Sequence, residues 1–210
     1  MRRVPPEEQR TTGTPSVDLA EQTRIVSRLV AEVPDTRLAG PTPCPAYTVG
    51  GLLGHLRGLA VAFRDAARKD LGPTTDTAPD PAAASLPAAW REELPRVLGE
   101  LAEAWQDPGA WTGMTRAGGV DLPGEVAGAV AVDELVIHGW DLARATGQEY
   151  LPDGAALRAS HAFLLAAAHE GDRGGGIFGP VVPVPDDAPL LDRAVGLSGR
   201  DPGWAPPTAP

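Results

Sequence analysis

Apolar residues recur along this chain at spacings of three and four, the pattern of helices with one buried face. Between Ser16 and Val33 the stripe is Leu19, Val26, Leu29, Val30 and Val33. Asp18 with Glu21 offers a cap at its start, and Pro34 ends it. The turn-rich stretch Ala39 to Thr48 follows. Thr48 is placed to cap a second helix running to about Asp70, with Leu52, Leu56, Leu59 and Phe63 inward. Gly72 to Ala84, rich in Pro, Thr, Asp and Ala, reads as the least structured interior linker. A third helix is predicted from Ser85 to Trp105, burying Leu86, Trp90, Leu94, Val97, Leu98, Leu101 and Trp105. Pro95 within it is expected to kink or split it, because proline lacks the backbone donor.

Residues 107–123 are Gly-rich with some extended character, a candidate strand or hairpin arm. The fourth helix, Gly124 to Thr146, is the most hydrophobic, carrying Val126, Val130, Val132, Leu135, Val136, Ile137 and Leu142. Being apolar nearly all round, it should be the most buried, with Gly147 as its C-terminal cap. Asp153 caps a fifth helix, Gly154 to Glu170, closed by Gly171; a loop, a short extended piece and a short last helix complete the chain. The sum is an all-α antiparallel four-helix bundle with an extended and helical C-terminal extension. One helical domain is expected over 16–204, flanked by disordered tails at 1–15 and 205–210.

Composition narrows the function classes. A net charge of −10 argues against nucleic-acid or anionic-membrane partners, which need basic patches. The single cysteine, Cys44, rules out an internal disulfide and fits a reducing compartment. The N-terminus has two arginines but no apolar stretch behind them, and no run approaches the ~20 residues needed to span a bilayer. The expected location is the cytoplasm.

The chemistry gathers on two helices. Glu134 and His138, spaced i, i+4, share the face that carries Val130, Ile137 and Asp141, so a carboxylate points inward. Such a group needs compensation, from a divalent metal or from a hydrogen-bonded Glu–His pair without metal. His55 lies between Leu52 and Leu59 and also faces the interior, as a core histidine or as a third ligand. Bundle metal sites are assembled from facing helices in this way, and three protein ligands leave one position open. Two histidines and a glutamate suit zinc, with nickel, iron and manganese also compatible. Asp141 can orient His138 from behind, or pair with Arg144.

These residues sit in recognisable segments. TPCPAYTVGGLLGHL (Thr42–Leu56) resembles the TPCxxWTVxDLLxHL segment of the mycothiol-dependent maleylpyruvate isomerase and DinB-like family. DELVIHGWDLARATG (Asp133–Gly147) is similar to that family's ELVVHGWDLARA helix. GIFGPVVPVPDDAPLLDRAVGLSGRDPGW (Gly176–Trp204) resembles the ending of one metal-binding branch. The resemblance spans about residues 16–204. It implies a DinB-type bundle holding a metal on His55, Glu134 and His138, with mycothiol as the thiol that the metal binds and activates. Tyr47 stands where the family has Trp, and Gly50-Gly51 where it has a polar pair. The sterol-carrier-like C-terminal domain of the isomerase branch is not expected, which separates the chain from that specific isomerisation.

The expected activity is metal-dependent isomerisation or S-transfer by a small-molecule thiol on an electrophile. A non-enzymatic metal- or small-molecule-binding bundle is the other reading. The electrophile pocket is expected from loops 72–84, 107–123 and 172–188. Cys44 reads as a packed small residue before a reactive thiol, and His161 and His169 as surface or packing residues. Gly174, Gly176 and Gly179 spell GxGxxG, but a helix precedes them and proline-rich chain follows, so no dinucleotide site is expected.

Overall fold

Four helices enclose the core in the computed structural model, which describes residues 17–82, 84–169 and 178–207. They are α1 (Ala20–Ala31), α2 (Val49–Arg68), α4 (Trp90–Ala104) and α5 (Gly124–Thr146). Each of α1 and α2 packs on both α4 and α5. A one-turn helix α3 (Pro73–Asp76) and an antiparallel hairpin, β1 (Met114–Ala117) with β2 (Val120–Pro123), close one end. Outside the bundle, α6 (Gly154–His169) lies on α5, and α7 (Leu190–Leu197) lies on α6. The expected all-α DinB-like bundle with a C-terminal extension is therefore the architecture. Among the described residues no helix is long and apolar enough to cross a membrane.

Local chemistry accounts for most boundaries. Thr48 caps α2 as expected, its Oγ1 accepting the Gly51 N–H at 3.2 Å. Asp153 Oδ1 accepts from the N–H groups of Ala155 and Ala156 at the start of α6. Gly147 ends α5 in the left-handed conformation, φ 75°. The hairpin expected near 107–123 turns on Gly118 and Gly119, both at positive φ (60° and 80°), as a tight right-twisted turn requires.

Several expectations are corrected. The first helix starts at Ala20 and ends at Ala31. Asp18 Oδ1 does accept the Ala20 N–H, but Leu19 is the cap residue, and Glu21 pairs with Arg24 instead of closing a capping box. The helix expected from Ser85 begins at Trp90. The chain at Ala84–Ser85 lies against α2, where the Ser85 carbonyl oxygen comes within 2.9 Å of a Cβ placed on Gly54. Pro95 does not split the third long helix, which runs unbroken to Ala104. Burial of Leu94, Val97 and Leu98 around the proline holds that turn in register.

The 72–84 linker is not featureless either. Thr74 Oγ1 donates to Asp65 Oδ2 at 2.8 Å, and the buried Thr75 accepts the Gly119 N–H on its carbonyl at 2.8 Å. The segment is thereby fastened to α2 and to the hairpin turn. The tails at 1–15 and 208–210, the helix end at Glu170 and Gly171, and the glycines Gly174 and Gly176 lie outside the described residues.

As expected, α5 is the most buried helix, with Val126 an exposed exception at 39%. Its glycines permit close approach. A Cβ on Gly128 would lie 2.4 Å from Cζ3 of Trp111 and 2.8 Å from Cζ3 of Trp105. Both rings are fixed, Trp105 Nε1 donating to the Phe63 carbonyl at 3.1 Å and Trp111 Nε1 to the Trp105 carbonyl at 2.9 Å.

Alanine for glycine in a helix interior ordinarily stabilises by about 0.5–1 kcal/mol. Overpacking against two fixed rings costs about 1–3 kcal/mol and should win at this position. Gly128→Ala is therefore expected to lower the urea midpoint of unfolding. An unchanged or raised midpoint would contradict this packing.

Candidate metal centre

The three residues marked by the sequence meet at the α2–α5 contact. His55, from the inner face of α2, places Nε2 3.3 Å from Oε2 of Glu134 on α5. His138, one turn further along α5, places its own Nε2 3.0 Å from the same oxygen. The imidazoles stand nearly perpendicular, with centroids 4.8 Å apart and planes at 84°. The side chains of His55, Glu134 and His138 are 11%, 15% and 8% exposed, so the cluster is nearly buried.

The loop before α2 sets His55. Backbone bonds from Val49 to Gly40 (2.9 Å) and from Gly50 to Leu38 (2.8 Å) fold that loop back on the start of the helix. Thr42 Oγ1 lies 2.8 Å from the Cys44 carbonyl and 3.0 Å from the Tyr47 carbonyl, bracing its interior. Tyr47 is thereby laid flat on His55, centroids 4.8 Å apart and planes at 21°. A concavity of about 320 Å³ along Ala39–Thr48 shares Tyr47 with the cluster. It lies on a segment outside the three loops expected to form the electrophile pocket.

Behind His138, Nδ1 lies 2.8 Å from Oδ2 of Asp141, which is wholly buried. Arg200 holds that carboxylate with two arms, Nε to Oδ1 at 2.8 Å and Nη2 to Oδ2 at 2.9 Å. Asp141 thus pairs with His138 and Arg200, and not with Arg144, whose Nε donates to the Trp204 carbonyl at 3.0 Å. Arg200 was invisible to helix periodicity, being 59 residues from Asp141 in a short C-terminal turn. Its one signal was its place in the GLSGRDPGW ending.

Electrostatics follow from burial and these contacts. Burial opposes charge on Glu134, but the hydrogen bonds and positive charge of His138 and His55 outweigh it and hold the carboxyl well below its usual range. Burial also opposes a charged His138, yet Asp141 and Glu134 raise it from 6.5 to about 9. Tyr47 is pushed up to about 12, chiefly by burial, and is a neutral phenol. Burial raises the Cys44 thiol, with Arg200 opposing, so its neutral form is favoured. Asp133 points to α6, where Ser160 Oγ donates to it at 2.6 Å, and stays outside the cluster. His161 is half-buried and His169 exposed, both away from the cluster as expected.

The donor set fits a divalent metal. One ligand atom from each of His55, Glu134 and His138 lies within 4.8 Å of the others. Four-coordinate zinc with bonds of about 2.0–2.1 Å separates its donors by roughly 3.3 Å. The two nitrogen–oxygen separations, 3.3 and 3.0 Å, already approximate that spacing. With Asp141 accepting from His138 Nδ1, Nε2 is the nitrogen turned to the cluster, and a metal would bind there in place of the Nε2 proton.

Residues 19–143 match the family model of the mycothiol maleylpyruvate isomerase N-terminal domain. Two uncharacterized proteins from strains of Mycobacterium tuberculosis are each 30% identical over 175 residues, covering 82% of this chain and 90% of theirs. The crystal structure of the mycothiol-dependent maleylpyruvate isomerase superposes with a TM-score of 0.51 at 20% identity, a likeness of fold. That superposition covers 68% of this chain and 65% of the isomerase chain, less than two thirds of it.

In the metal-free protein the elevated His138 gives stability a defined pH dependence. The folded state binds a proton more tightly than the unfolded one, whose histidine titrates near 6.5. Its contribution is complete below that value and lost as pH rises through about 9. Denaturation in the presence of a chelator should therefore show stability falling between pH 7 and 9 by on the order of 1–3 kcal/mol. His138→Ala should flatten that slope, and an equal slope in both proteins would contradict the assignment.

Proposed function

The chain belongs to the mycothiol maleylpyruvate isomerase N-terminal domain family, and on that premise we propose that it is a metal-dependent enzyme acting with a low-molecular-weight thiol, mycothiol. The reaction is isomerisation of, or S-transfer to, a small electrophile. His55, Glu134 and His138 would hold the metal, and their donor types favour zinc. A bound divalent cation supplies the positive charge that stabilises a thiolate near neutral pH.

The observation that carries this reading is the convergence of two imidazole nitrogens, from two helices, on one largely buried carboxylate oxygen. A simple Glu–His pair needs only one imidazole. The protein's own groups then have distinct tasks. Glu134 brings negative charge among the donors, and Asp141 keeps His138 turned with Nε2 inward. Tyr47 fixes the plane of the His55 ring. No side chain of the protein has to act as nucleophile, consistent with a Cys44 thiol raised by burial. Isomerisation and S-transfer differ in whether the new carbon–sulfur bond is broken again, and the ligand cluster serves both.

The test is turnover of a panel of electrophiles, maleylpyruvate among them, with mycothiol as the thiol. Activity should require the thiol, disappear on chelation, return with zinc, and fall to the detection limit in Glu134→Ala and His138→Ala. Full activity in both variants would refute the reading. Bound metal without turnover of any electrophile would favour a binding protein over an enzyme.

A further inference from the structure

We propose that Arg200 is a positioning residue for the metal site, acting through Asp141 to fix the presentation of His138, so that docking of the C-terminal segment and metal affinity are coupled. The inference rests on the metal-site reading above and adds a residue and an element to it.

Asp141 is fully buried, and its hydrogen-bonding partners are His138 and Arg200. Oδ2 receives both the His138 Nδ1–H at 2.8 Å and Arg200 Nη2 at 2.9 Å, while Oδ1 receives Arg200 Nε at 2.8 Å. A carboxylate gripped by both arms of a guanidinium has one orientation, because the two planar groups must be coplanar. With that orientation fixed, the imidazole that donates to Oδ2 is fixed as well. Its other nitrogen then points at Oε2 of Glu134.

Arg200 is itself held by the turn that follows α7. Its Nη1 donates to the Ser198 carbonyl at 3.2 Å, and its N–H reaches the Val195 carbonyl at 3.1 Å. Gly199 at φ 85° makes that turn, packed against Gly179. A helix outside the bundle therefore reaches a ligand inside it through one arginine and one aspartate.

Charge gives Arg200 a second consequence. A divalent cation with Glu134 and Asp141 alone would sum to zero, and Arg200 leaves the cluster one unit positive. That surplus favours an anionic ligand, such as a thiolate, at the open position.

The test is zinc affinity, measured by competition with a chromogenic chelator, for wild type, Arg200→Gln, Asp141→Asn and the double variant. Arg200→Gln is expected to weaken zinc binding on the order of 10-fold, the range typical of groups that orient ligands. In the Asp141→Asn background it should cost no further affinity, because the two residues act as one unit. Arg144→Gln, which loosens the Trp204 end of the same segment without touching Asp141, should bind zinc like wild type. Arg200→Lys keeps the charge but loses the fork, and it should weaken binding as well if Arg200→Gln fails to fold. Wild-type affinity in both Arg200 variants would overturn the inference and leave the metal site standing. Multiplying losses in the double variant would do the same. Failure of wild type to bind zinc would overturn both, and the wild-type arm alone tells the two failures apart.

Discussion

A carboxylate placed on the inner face of a bundle's central helix has to be compensated, and the organisation around Glu134 follows from that requirement. An isolated buried charge costs several kcal/mol even after the surroundings relax. Here Glu134 sits on α5 among Ala131, Leu135 and Ile137, which form part of the core. Two imidazoles from different helices converge on one of its oxygens. Each imidazole needs its own support: Tyr47 for His55, and Asp141 with Arg200 for His138. The chain of compensation thus runs from the loop before α2, through the bundle, to the turn after α7.

That demand explains why α5 is built as it is. A helix packed on several sides cannot rely on one apolar stripe, and small residues let its neighbours approach. Gly128 admits Trp105 and Trp111, and Gly139 admits Tyr150, whose hydroxyl would lie 2.8 Å from a Cβ there. Tyr150 in turn donates to the Val136 carbonyl at 2.7 Å and accepts from Gln22 Nε2 at 2.9 Å. Gln22 Nε2 also reaches the Leu135 carbonyl at 3.1 Å. The turn carrying Glu134 and His138 is therefore braced from α1 and from the loop after α5, which limits how far the ligand atoms drift.

Much of this was legible in the sequence where periodicity and short-range chemistry act. The span of α5 and the Thr48 and Asp153 caps each follow from a few adjacent residues, and the extended character of 107–123 was visible, though not its turn at Gly118-Gly119. The trio His55, Glu134 and His138 was legible because inward-facing polar residues on apolar helix faces stand out. Boundaries set by tertiary contact were not. The start of α4 depends on chain laid across α2 at Gly54, and the order of 72–84 depends on Asp65 and Gly119. Arg200 was missed for the same reason: its partner is remote in sequence, and an arginine in a turn looks like any solvated charge. Pro95 erred in the other direction, since packing of the residues around it outweighs one lost backbone bond.

The central claim is that the compensating charge is a metal ion held by His55, Glu134 and His138. Metal content of the purified protein by mass spectrometry, wild type beside His55→Ala and His138→Ala, tests it most directly. The account predicts near-stoichiometric zinc in wild type and none in either variant. A wild-type protein that carries no metal and cannot be loaded would contradict it, leaving the cluster as a structural Glu–His network.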